Sequence, residues 1–130
     1  TMMIDRILIF WGKDRKAAAH YPAEDVWDAD ERQVFEDENY LSLFKDDLMI
    51  CTNTNYMEYS QSRVYSILQK RKVLSYMQFL LRDGEGNLCG MVSLEACKNR
   101  NSFPKLAVQL FGNMCRIVNA VLIRELALDK

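Results

Sequence analysis

Apolar and polar positions along this chain follow two periods, and each change of period marks an element. Met3 to Trp11 is apolar and rich in β-branched and aromatic side chains, and Gly12-Lys13-Asp14-Arg15 ends it with turn chemistry, which predicts a first strand. Lys16 to Tyr21 returns as a second strand and Pro22 stops it, since proline cannot donate to a ladder. Residues 23–47 are polar, with scattered apolar side chains. Val34 and Phe35, then Leu41 and Phe44, predict one or two short helices on the surface. Leu48 to Thr52 reads as a third strand ending in Asn53-Thr54-Asn55. From Tyr59 to Lys72 the period becomes helical, with Val64, Ile67, Leu68 and Arg71 on one side and Ser60, Gln61 and Gln69 on the other.

A hairpin follows, Ser75–Arg82 and Asn87–Ala96, around the loop Asp83-Gly84-Glu85-Gly86-Asn87, whose glycines permit the positive φ such loops need. Asn101-Ser102 offers a cap and Pro104 falls in a first helical turn, so a long helix is expected from Phe103 to the end. Ala107, Phe111, Met114, Cys115, Val118, Val121, Leu122 and Leu126 form its core-facing side. Leu110, Ile117 and Ile123 lie elsewhere, and this surplus apolar girth suits a partner helix, making them the candidate dimerisation residues. Strands in antiparallel hairpins with helices gathered against them give an α+β fold built as one domain over residues 1–130.

The hairpin's parity carries the functional argument. Met77, Phe79 and Leu81 share one face with Val92, Leu94 and Ala96, an all-apolar set expected beneath the long helix. Tyr76, Gln78 and Leu80 share the other with Met91, Ser93 and Glu95. A few polar groups among apolar ones is the composition of a small-molecule pocket, and a solvent-washed sheet face is the plainer alternative.

Charge narrows the field. The formal net charge of −1 leaves no footprint for nucleic acid, and the basic run Lys70-Arg71-Lys72 is explained by a helix C-terminus, which favours cations. Ten Asp or Glu stand between Glu24 and Asp47 with no Gly to close a metal loop, so a solvated face is expected there. The four cysteines include no C-x-x-C pair and read as reduced, buried small hydrophobes in a cytoplasmic protein. The run Ile7 to Trp11 is too short to span a bilayer, and no membrane contact is expected.

The second half resembles a GAF domain. Ser75-Tyr-Met-Gln-Phe-Leu-Leu looks like that family's S-x-x-x-V-P-L strand, and Leu88-Cys-Gly-Met-Val-Ser-Leu is similar to its L-I-G-V-L-x-L strand. The helix ending Gln69-Lys-Arg-Lys-Val, the Asp83–Asn87 turn and the closing amphipathic helix complete the likeness. It covers residues 58–128 by motif and the first 57 by element order. Two departures stand out: the family's opening helix does not precede the first strand, and Leu80 replaces its proline.

The resemblance implies a PAS-like central sheet with the terminal helix on one face and a ligand pocket on the other. It implies a non-catalytic sensor module of a longer bacterial signalling protein, one that dimerises through its terminal helix and acts on an output domain in the same chain. Candidate ligand residues are Tyr76, Gln78, Met91, Ser93 and Glu95, with Arg63 as an anion clamp or a surface ion-pair partner, Cys51 as a thiol near the site, and Trp27 (with Trp11) as a wall. A module whose pocket is filled by its own side chains, used only for protein contacts, is the alternative reading.

Cofactor signatures of the family are missing. Lys98 and Phe103 could stand in its cyclic-nucleotide signature, but Lys105-Leu106 replaces the Asp-Glu pair. No Cys adjoins His20, as bilin attachment would need, and a lone histidine makes a poor haem or metal site. The family's methionine sulfoxide reductases need a Cys within the stretch that here runs Gln69 to Leu74, where there is none, which leaves a thiol-dependent reductase as the least favoured alternative.

Overall fold

A computed structural model describes residues 4–11, 16–21, 34, 36–100 and 102–128, with backbone alone at 16–21 and 126–128. Five antiparallel strands form one sheet: β1 (Arg6–Trp11), β2 (Lys16–Tyr21), β3 (Leu48–Cys51), β4 (Ser75–Arg82) and β5 (Leu88–Ala96), in the spatial order β2-β1-β5-β4-β3. The helices are α1 (Glu38–Leu41), α2 (Ser62–Lys70) and α3 (Lys105–Leu128). The expected α+β, GAF-like sheet with a long terminal helix on one face is therefore what the chain builds.

The registers separate two cores. Met77, Phe79, Leu81 and Val92 pack with Phe111 and Cys115 of α3, joined at the margin by Ile9, Trp11, Leu94 and Leu122. The opposite face joins Leu8, Phe10, Tyr76 and Met91 to Val64 and Leu68 of α2, to Met57, and to Val34 and Tyr40. The predicted parity of the hairpin holds on both arms. Burying each large apolar side chain in such a core contributes about 1.5–3 kcal/mol.

Several boundaries differ from the sequence reading. The helix expected from Tyr59 begins at Ser62, and a short 3-10 helix, Thr54–Met57, precedes it. Asn53 starts that turn by accepting a hydrogen bond from the Asn55 amide, so of the three polar residues read as a strand end, Asn53 caps the helix and Thr54 and Asn55 begin it. Gln61, placed on the polar side, is buried. α1 is not a surface helix in full: Asp37 caps it by accepting from the Tyr40 amide, and Tyr40 itself is buried to 1% exposure. In the β4–β5 loop only Gly86 takes positive φ, at 87°. The Gly12–Arg15 turn, Pro22, Trp27 and Phe35 lie outside the described residues.

The turn into β3 is unusual. Lys45 and Leu48 exchange both backbone hydrogen bonds across Asp46 and Asp47, which take φ of 51° and 67°. Two positive φ values define a hairpin turn that favours Asn or Gly. Two contacts hold it: Asp47 accepts from the Leu80 amide and pairs through both carboxylate oxygens with Arg82. Asp46→Gly should keep or raise the melting temperature, whereas Asp46→Val, β-branched at positive φ, should cost roughly 1–2 kcal/mol. Equal thermal melting of the two variants would contradict the turn geometry.

Candidate functional site

The registers line up three rows of side chains on the sheet face away from α3. Arg6, Glu95, Tyr76 and Cys51 are cross-strand partners in one row, and Leu8, Ser93, Gln78 and Met49 form the next. Phe10, Met91 and Leu80 make the third. Five of the eight candidate ligand residues, Tyr76, Gln78, Met91, Ser93 and Glu95, are thus brought together, each at most 1% exposed.

All but Met91, which packs in the apolar core, meet in one polar network. Tyr40, reaching down from α1, shares a 2.7 Å hydrogen bond with the Tyr76 hydroxyl and donates to Gln78 Oε1. Gln78 Nε2 donates to Ser93 Oγ at 3.2 Å, and Ser93 Oγ donates to Glu95 Oε2 at 3.4 Å. The relay ends on an ionised carboxylate, which only accepts. Arg6 Nε and Arg71 Nη2 both stand 3.2 Å from Glu95 Oε1. Arg6 also donates to the Arg71 carbonyl and, at 2.7 Å, to Cys97 Sγ. All three charged groups are buried, and a buried carboxylate is tolerable only when paired and hydrogen-bonded.

The remaining sequence candidates fall elsewhere. Arg63 is exposed on α2; the arginine that meets Glu95 from that helix is Arg71, at its C-cap. The basic run does stand at a helix C-terminus, as expected, and Arg71 has a further role there: Glu95, a buried acid on β5, draws its side chain inward. Trp11 packs in the α3-side core, not against this face. Cys51 does lie at the site's margin, buried, with its thiol 3.9 Å from Met57 Sδ. Tyr40, Arg6 and Arg71 were not read as site residues. The parity of β1, which places Arg6 on the Glu95 row, was the signal that could have found one of them.

Burial sets the ionisation of these groups. Desolvation raises Tyr76 well above the usual 10.0 and raises Tyr40 likewise. It also pushes up the thiols of Cys51 and Cys97, and that of Cys115 to about 12, so none of the three is poised as a thiolate nucleophile. None of the four cysteines is in a disulfide; Cys51 and Cys115 are buried and Cys89 and Cys97 half-buried. Among the described residues no group of three His, Cys, Asp or Glu is placed to hold a metal ion.

The outer side of α3 forms a second candidate surface. Leu106, Leu110, Met114, Ile117 and Val121 are between 52% and 65% exposed. Leu110 and Ile117 fall on this stripe as expected. Met114 and Val121, expected on the core side, face outward instead, because Cys115 and Leu122, each one residue on, hold the inward position. Ile123 leaves the stripe: it is half-buried, with its Cγ2 beside Gly84 of the β4–β5 loop. By length and composition alone, Lys105–Glu125 could also cross a membrane.

Comparison with solved structures identifies the architecture as the GAF-domain fold. The GAF domain of PixJ from Thermosynechococcus elongatus superposes with a TM-score of 0.71 at 13% identity, covering 97% of this chain and 78% of that one. A GAF domain from Synechocystis in its photoproduct state gives 0.69 at 11%, covering 97% and 86%. A domain assigned to a two-component sensor histidine kinase of Sinorhizobium meliloti gives 0.65 at 14%, covering 95% and 82%. No family model and no curated protein matches the sequence.

Glu95→Ala should strip two buried arginines of their counter-charge and destabilise the domain by about 3–5 kcal/mol, read by urea denaturation. Replacing Arg6, Glu95 and Arg71 together by Met, Leu and Leu should recover most of that loss; a triple variant as unstable as Glu95→Ala would contradict the charge argument. The tyrosines set a pH dependence. An unfolded tyrosine ionises near 10.0, whereas the buried pair ionises only above that, so their stabilisation is complete below pH 10 and is lost as pH rises beyond it. The Tyr40→Phe/Tyr76→Phe variant should show a shallower alkaline loss, by up to about 1.4 kcal/mol per pH unit for each tyrosine removed. An unchanged slope would contradict it.

Proposed function

We propose that this domain is a regulatory module of a larger cytoplasmic signalling protein, without catalysis of its own, that pairs with a second copy through the outer face of α3 and passes its state to an output domain in the same chain. The observation that carries this reading is the exposed stripe Leu106, Leu110, Met114, Ile117 and Val121, recurring at three- and four-residue intervals on a helix whose other side is committed to the sheet. Arg116 stands in the middle of the same helix. A charge at a bilayer centre costs about 2.5–3.5 kcal/mol or more, which favours a protein partner over lipid. The sensor kinase and photoreceptor origins of the structural neighbours support a sensory or regulatory role.

The polar face supports action through protein contacts, because Tyr40, Tyr76, Gln78, Ser93 and Glu95 already hydrogen-bond to one another. Its wealth of polar groups also fits a small-molecule sensor, the second reading. A metabolite that raised the melting temperature of the wild type but not of Tyr76→Phe would favour that role. For the leading reading, light scattering coupled to size exclusion should give a dimer for the wild type and a monomer for Leu110→Glu/Ile117→Glu, with the circular dichroism spectrum retained. A monomeric wild type, or a dimeric double variant, would overturn it.

A further inference from the structure

Beside α3, on the side of the sheet opposite the polar network, two clefts meet at one residue. A cleft of about 480 Å³ lies among Asp46, Phe79, Arg82, Asn119 and Ile123, and one of about 340 Å³ lies against Leu48, Val108 and Gly112; Arg116 lines both. Its guanidinium carbon sits 5.7 Å from the centre of the Phe79 ring, a cation–π distance, and its Nη1 donates to Asn113 Oδ1 at 3.2 Å. Gly112, one turn earlier, makes room for this pose. A Cβ there would come within 3.2 Å of Arg116 Nη1, and glycine otherwise weakens a helix interior.

The charges around the clefts are unevenly satisfied. Arg82 is engaged by Asp47 through Nε and Nη2 and by the Gly86 carbonyl through Nη1, and the Asn119 amide is spent on the Arg82 backbone. Asp83 is held within its own loop by the amides of Glu85 and Asn87. Arg116 has no carboxylate partner among the described residues, and the Asp46 carboxylate, lining the same cleft, accepts no hydrogen bond from them. A guanidinium fork fixed against a ring accepts a carboxylate bidentately. The neighbouring aspartates would repel a dianion, and Arg116 would repel a simple cation.

We infer that this cleft is a binding site for a small zwitterion of the amino-carboxylate class. The carboxylate meets the Arg116 fork, the ammonium meets Asp46, and the hydrocarbon part rests on Phe79 and Ile123. The site is independent of the polar face and of the outer stripe of α3.

Isothermal titration and thermal-shift measurements on the intact chain should use the free L-amino acids, each beside its matched monocarboxylic acid and its matched amine. At least one amino acid should bind saturably and raise the melting temperature, with the matched acid and amine at least roughly tenfold weaker. Arg116→Gln and Asp46→Asn should each weaken binding by roughly tenfold or more. Gly112→Ala should weaken binding while raising the melting temperature of the free protein, which separates a lost ligand pose from a lost fold. No binding by any amino acid, equal binding by the acid alone, or binding that survives Arg116→Gln would overturn the proposal.

Discussion

A single carboxylate organises the side of this molecule away from its long helix. Glu95 is wholly buried on a central strand, so its charge must be answered within a few ångströms, and the chain answers it with Arg6 from β1 and Arg71 from the end of α2. That requirement ties three parts of the sequence that are far apart. It draws Arg71 inward at the C-cap of α2, where Lys72 at a φ of 60° ends the helix, and it places Arg6 of β1 on the same side. The uncharged remainder of the relay then follows: Ser93, Gln78 and the two tyrosines can be buried because each donates to the next, ending on an acceptor with lone pairs to spare. Polar groups so arranged hold a packed interior in one register, where apolar ones alone would tolerate several.

The other face obeys simpler physics. Alternating apolar residues of β4, β5 and β1 meet one side of α3, through Phe111 and Cys115. Because α3 is one helix against an open sheet, no described residue covers its far side, and Leu110, Met114, Ile117 and Val121 are more than half exposed. The two faces divide the labour, one a hydrogen-bonded polar interior and the other a platform that presents an exposed apolar helix face.

Most of this architecture was legible from the residues. Period-two alternation in Ser75–Arg82 and Leu88–Ala96 is strong because each strand is long and one face is uniformly apolar, so the core beneath α3 could be assigned in advance, whereas the opposite face reads as a pocket lining or a solvent-washed surface and is a second core. The contents of the polar face were legible as a set, but its closure was not. Tyr40 belongs to a four-residue helix whose apolar signal is too brief to show a period, and Arg71 sits in a basic run that local rules explain without a partner. The orientation of α3 was misread by one position at Met114 and Val121, since an apolar helix offers more than one plausible inward stripe and only the sheet it meets selects among them.

The claim most exposed to test is that the buried polar side chains on the face away from α3 are hydrogen-bonded to one another and shielded from bulk water. Proton NMR of the folded protein, with selectively labelled tyrosine, reads this through the hydroxyl protons. Slowly exchanging hydroxyl resonances from both Tyr40 and Tyr76, with mutual nuclear Overhauser contacts, are the predicted result. Hydroxyls that exchange too rapidly with solvent to be seen would contradict it, for they would place bulk water where the structure places Gln78 and Tyr76.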